Sequence, residues 1–157
     1  MPAPTMSHLI ATSALIILIF TVQVFYFYVV DNIWEEMSQR ELKEIADHVA
    51  DTLANLYFLV NTTNIGTSME KTLSLPLEVG DESYLMEIAQ DPNSTATGVE
   101  AHFLDMSWLN VTSWLPPGLK VDANQTEVIQ SSGKTVVAGC SRVSSSDVYV
   151  WITYKGG

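Results

Sequence analysis

Residues 9–30 form an uncharged apolar run that passes, with no proline or glycine to interrupt it, into an amphipathic stretch over residues 31–60. A hydrocarbon layer about 30 Å thick is crossed by about 20 helical residues rising 1.5 Å each, so the run is long enough to span a bilayer. Its polar interruptions are Thr12, Ser13, Thr21 and Gln23, and Met1 to Val30 holds no Asp, Glu, Lys or Arg. No water-soluble core accommodates such a segment. It requires either lipid or other copies of itself, and Leu9, Ile10, Leu15, Ile16, Leu18, Ile19, Phe20, Val22 and Phe25 are the expected packing residues.

Beyond the run, Leu42, Ile45, Val49, Leu53, Leu56 and Val60 recur at intervals of three and four, the spacing of one apolar stripe on a helix. Ile33, Trp34 and Met37 lie near the same stripe, and Glu35, Glu36, Glu41, Glu44, Asp47 and Asp51 occupy the opposite face. The pattern predicts one helix, capped by Thr5 or Ser7 and continuing to Val60, roughly 80 Å long if unbroken. The stripe needs a partner, which is either the rest of the chain or neighbouring copies.

From Asn61 the pattern changes to short β-like runs separated by turn residues. Candidate strands are residues 72–77, 83–90, 98–104, 119–121, 127–130, 134–140 and 148–154. Gly80-Asp81, Asp91-Pro92-Asn93, Pro116-Pro117-Gly118, Ser131-Ser132-Gly133 and the segment 144–147 punctuate them. The expected fold class is α+β: a long hydrophobic-to-amphipathic helix (1–60) followed by a small antiparallel sandwich-like head (61–157). Val148, Val150 and Ile152 alternate with Tyr149 and Trp151, so the last strand is apolar on both faces and calls for a cover, for which the helix stripe is the natural candidate. At least two of Trp108, Trp114 and Trp151 are expected in the core. Cys140, the lone cysteine, can form no intrachain disulfide and follows an apolar run, so it reads as a small buried hydrophobe.

The net charge of −11 lies wholly beyond Val30 and argues against nucleic acid or an anionic membrane surface as a partner of the soluble part. Four of the five asparagines after Val60, namely Asn61, Asn93, Asn110 and Asn124, stand in N-x-[ST] sequons, where chance gives roughly one. The head is therefore expected outside the cell and glycosylated. Met1 to His8 has no basic start, which argues for a retained segment rather than a cleaved secretory leader.

No nucleophile elbow, phosphate loop, dinucleotide fingerprint or zinc-protease motif is present, so neither enzyme nor cofactor is expected. His8, His48 and His102 sit in separate segments without ligand-spaced neighbours, which argues against a metal site. Asp81, Glu82, Asp105 and Asp122 lie near turns and could offer oxygen ligands to Ca²⁺, but turn acids are commonly just solvated.

An uncharged apolar helix beginning Ser7-His8-Leu9-Ile10-Ala11 and running through Val29-Val30, an amphipathic continuation and a sequon-bearing β head together resemble the archaeal type IV pilin-like superfamily. That group includes archaeal pilins, archaellins and archaellum accessory subunits. The resemblance implies that residues 9–30 form the core of a filament, with β heads facing outward under a glycan coat. One departure stands out: the basic and small residues that precede the apolar helix in pilin precursors, where a peptidase cuts, are missing from Met1 to Ser7.

Three readings follow. The first is a structural subunit of an extracellular helical filament, a homopolymer anchored in the membrane before assembly. The second is a permanently anchored single-pass accessory protein contacting cell-envelope proteins, with Tyr26, Tyr28 and Trp34 as an interfacial belt. The third is an anchored ligand-binding ectodomain, for which no convergent polar signature is visible.

Overall fold

The computed structural model describes residues 4–63, 66–90, 96–144 and 147–156. It contains a long N-terminal helix, α1 (Pro4–Asn61), and eight strands. These are β1 (Ser68–Leu73), β2 (Tyr84–Gln90), β3 (Thr97–Phe103), β4 (Asn110–Trp114), β5 (Leu119–Val121), β6 (Ile129–Gln130), β7 (Val136–Arg142) and β8 (Val148–Tyr154). The α+β class expected from the sequence is the observed one. By its internal contacts the chain divides into Met1–Met37 and Ser38–Gly157. That boundary lies well before the one at 60/61 suggested by the change in sequence pattern.

The reason is the apolar stripe. Leu42, Ala46, Val49, Ala50, Leu53, Leu56 and Val60 are all buried, in one cluster with Tyr84, Met86, Val99, Ala101 and Phe103 of one sheet and Val136, Ala138, Cys140, Val150 and Ile152 of the other. The amphipathic part of α1 is thus a core element of the head. Polar contacts fix it there: Lys43 Nζ donates to the Thr112 carbonyl at 2.9 Å and to Asp47 Oδ1 at 2.6 Å, and Ser113 Oγ donates to the same Asp47 oxygen at 2.6 Å. Because β4 is an edge strand, its Thr112 carbonyl has an outward lone pair, which Lys43 satisfies.

Helix α1 is described from Pro4 onward. Thr5 and Ser7, expected at the start of the helix, lie within its described residues. At the other end the last turn has no basic residue. Arg142 from β7 supplies the charge instead, its Nη1 donating to the carbonyls of Asn61 (2.7 Å) and Thr63 (2.8 Å).

The strands form two four-stranded sheets, ordered β1-β7-β8-β5 and β4-β3-β2-β6. All pairs are antiparallel except β5 with β8, which is parallel and departs from the all-antiparallel expectation. Strand β8 matches residues 148–154 as read from sequence. Strand β1 lies four residues earlier than the 72–77 candidate, since Pro76 cannot donate to a ladder and the pairing stops at Leu73. Strand β4 was not anticipated at all. Gly80 and Asp81 both take positive φ (58° and 67°) between bridged Val79 and Glu82, the two-residue turn that the Gly-Asp pair suggested. The Asp91-Pro92-Asn93 turn lies outside the described residues, as do positions 145 and 146 of the 144–147 turn.

The outer apolar face of β8 is not covered by the helix stripe, which instead joins the inner core. Trp151 is buried outside that core cluster and lies across Gly139 of the paired strand. A methyl group at Gly139 would sit 2.2 Å from the indole, so the close approach requires glycine. Of the three tryptophans expected to divide mainly inward, only Trp151 is buried; Trp108 and Trp114 are exposed.

Candidate functional site

None of the apolar residues of 9–30 is buried, and all but the half-buried Val29 are exposed. Leu9, Ile10, Leu15, Ile16, Leu18, Ile19, Phe20, Val22 and Phe25 are each between 48% and 67% exposed, and together they surround the helix. A helix that is apolar all round has no face for water. Its Ser and Thr hydroxyls are already satisfied: Thr12 Oγ1 donates to the His8 carbonyl (2.7 Å), Ser13 Oγ to Leu9 (2.8 Å) and Thr21 Oγ1 to Ile17 (2.8 Å). Folding hydroxyls back onto carbonyls one turn earlier lets them enter a dry environment without losing hydrogen bonds. Just past the run, Asn32 Nδ2 does the same to Tyr28 at 2.9 Å. Of the four polar interruptions Thr12, Ser13, Thr21 and Gln23, Gln23 makes no such bond.

Helix α1 is long and apolar enough to cross a membrane, and none of its apolar window is buried. It is compatible with membrane anchoring; a removable leader near an N-terminus satisfies the same criterion.

In the head, Asn61 ends α1, Asn110 opens β4 and Asn124 follows β5 in a turn; all three are exposed. The fourth sequon asparagine, Asn93, lies outside the described residues. No known protein family, curated protein or solved structure matches this chain. Any functional reading therefore rests on its own residues.

Among the described positions, no three of the chain's His, Cys, Asp and Glu side chains group to hold a metal ion. His8 and His48 are exposed, and His102 is half-buried on the outer face of β3. Asp81 and Glu82 sit at one hairpin, Asp105 after β3 and Asp122 after β5, and no group of three metal-ligating side chains converges. A cleft of about 340 Å³ between α1 and residues 74–79 is lined by Glu41, Glu44, His48 and Glu78 with Ile45, Leu75 and Val79. It is acidic and open, and nothing in it converges on one point. Cys140 is fully buried, and burial pushes its thiol up to about 11, so the nucleophilic thiolate is disfavoured.

The groups that do carry an electrostatic signature are structural. Hydrogen bonds from Lys43 and then Ser113 hold the Asp47 carboxyl below the usual range, despite some desolvation. A depressed carboxyl stabilises the fold above its unfolded pKa of about 3.9, and that contribution disappears as pH falls through the lowered folded value. The Asp47 and Lys43 side chains are 47% and 42% exposed, so solvent screening keeps the effect small. Asp47→Asn is expected to lower the melting temperature at neutral pH by up to about 4 °C and to flatten its fall in acid, as thermal melts across pH 2–7 would register. Equal pH dependence in both chains would remove Asp47 from the account.

Proposed function

We propose that this chain is a structural subunit of an extracellular helical filament of the type IV pilin-like kind. Residues 9–30 pack against copies of themselves, and the membrane is their solvent before assembly. The observation that carries this reading is the apolar helix segment with no buried side chain, joined to a head that completes its own core. The head uses the Leu42 to Val60 stripe internally, so the dry surface left for neighbours lies in the first unit.

Gln23 favours neighbours over lipid alone. Its amide has no partner within the helix, and a facing helix can supply one where hydrocarbon cannot. Ala11, Ser13 and Ala14 are small enough to allow close helix approach. The exposed sequon asparagines of the head suit an outward, glycan-bearing surface. A permanent single-pass anchor is the second reading, favoured by exposed Tyr26 and Tyr28, which with Trp34 would form an aromatic belt at the outer leaflet.

Shearing cells that make the chain, followed by electron microscopy and peptide mapping, separates the two. Filaments containing this chain support the subunit. Recovery solely in the membrane pellet favours the anchor and defeats the filament.

A further inference from the structure

From Trp108 to Trp114 the chain alternates strictly between outward and inward positions. Leu109, Val111 and Ser113 are buried, while Trp108, Asn110 and Trp114 are exposed and Thr112 is half-buried. Asn110, Thr112 and Trp114 alternate outward along β4, and Trp108, two residues before Asn110, is exposed in the turn that leads into the strand, so the sequon is framed in sequence by two exposed tryptophans. Trp108 sits in a turn closed by the Leu109 N–H donating to the Met106 carbonyl at 2.9 Å, and Asn110 is the first residue of β4. Trp114 is fixed at the other end, leaning over Gly98, where an added methyl would lie 3.2 Å from the ring.

Trp108 is 69% exposed, although its large apolar ring would gain from cover. Its backbone lies at most about 7 Å from that of Asn110. A pyranose attached to the Asn110 amide can fold onto that ring, because the C–H face of a sugar carries partial positive charge and the indole face is negative.

We propose that Asn110 is glycosylated and that its first sugar stacks on Trp108, making the glycan part of the folded head rather than an appendage. The donor class is an oligosaccharide activated on a lipid phosphate. The new bond joins the Asn110 amide nitrogen to sugar C1, the bond from C1 to the carrier phosphate oxygen breaks, and the amide proton leaves with the released phosphate. The bound sugar covers Trp108 and places bulk on β4, an edge strand.

This proposal rests on the external placement of the head but not on filament formation, so the shearing result leaves it untouched. The test uses the full chain in detergent, produced in a host that attaches N-glycans, as four proteins: the native sequence, Trp108→Ala, Asn110→Gln and the double variant. Glycopeptide mass spectrometry is expected to find Asn110 occupied. Asn110→Gln is expected to lower the melting temperature by about 3–5 °C when Trp108 is present and by under about 1 °C when it is alanine. Should Trp108→Ala fail to fold, enzymatic release of the glycan decides instead, with a red shift of indole emission expected in the native chain and absent in Trp108→Phe. Additive melting shifts, an unchanged emission or an unoccupied Asn110 would each overturn the proposal.

Discussion

A chain with lysine in place of Leu18 is expected to assemble no filaments. Leu18 lies near the middle of residues 9–30 and is 61% exposed in the single chain, so an assembled bundle buries it against neighbouring helices. A lysine there must carry its charge into a dry environment with no carboxylate in residues 9–30 to meet it. Even the lenient scale for insertion into a bilayer places that cost at about 2.5–3.5 kcal/mol, and a bundle that excludes water is less forgiving. At about 1.4 kcal/mol per tenfold, each subunit addition weakens by roughly 100-fold or more, and a polymer incurs the loss at every step. The head should be unaffected, since Leu18 belongs to the first unit and the core cluster lies in the second. Electron microscopy of the sheared fraction, with circular dichroism confirming an unchanged head, checks this; Leu18→Ile should assemble normally. Wild-type filament yield from the lysine variant would contradict packing of this helix in a dry core.

The sequence made the helix legible because its two patterns are unambiguous: an uncharged apolar run, then a three-four stripe of which the structure buries Leu42, Val49, Leu53, Leu56 and Val60 and half-buries Ile45, while Ile33 and Met37 stay exposed. The strands with strong alternation, β2, β3 and β8, were equally readable. Strand β4 was missed because Asn110, Thr112 and Ser113 look like turn residues, although Leu109, Val111 and Ser113 occupy alternate, inward positions. The signal was present in the alternation and was masked by polarity, which an edge strand with one wet face tolerates. Strand β1 was displaced because an apolar Leu-x-Leu-x-Leu pattern over 73–77 outweighed the proline within it.

Tryptophan placement was the least legible property. Size alone suggests burial, yet only Trp151 finds a site, since Gly139 opposite it leaves room for a flat ring. Glycine opposite an aromatic in a paired strand was the readable sign, but it needs the register, which depends on pairing between distant segments. The long apolar helix was visible in the sequence. The role of the stripe was not, because spacing specifies that a helix face will be buried without specifying whether the cover is the same chain or another.

That distinction leads to the second large effect. A fragment of residues 64–157 is expected to be unfolded or aggregated, whereas residues 38–157 should fold and melt cooperatively. The shorter fragment loses Leu42, Ala46, Val49, Ala50, Leu53, Leu56 and Val60, all buried in the common core. Truncating a single buried leucine to alanine costs about 2–5 kcal/mol, so Leu42, Leu53 and Leu56 alone account for about as much as the whole stability of a typical domain, about 5–15 kcal/mol. Removing the helix also removes the Lys43 donor to the Thr112 carbonyl on β4 and the Asn61 and Thr63 carbonyls that accept from Arg142 Nη1. Circular dichroism melts and size-exclusion chromatography of the two fragments make the comparison. A cooperative transition in 64–157 would mean that the stripe is dispensable to the head and free to serve neighbouring subunits. Its absence, with 38–157 folded, would confine the dry contacts of the proposed filament to the first 37 residues, where Leu18 and Gln23 lie.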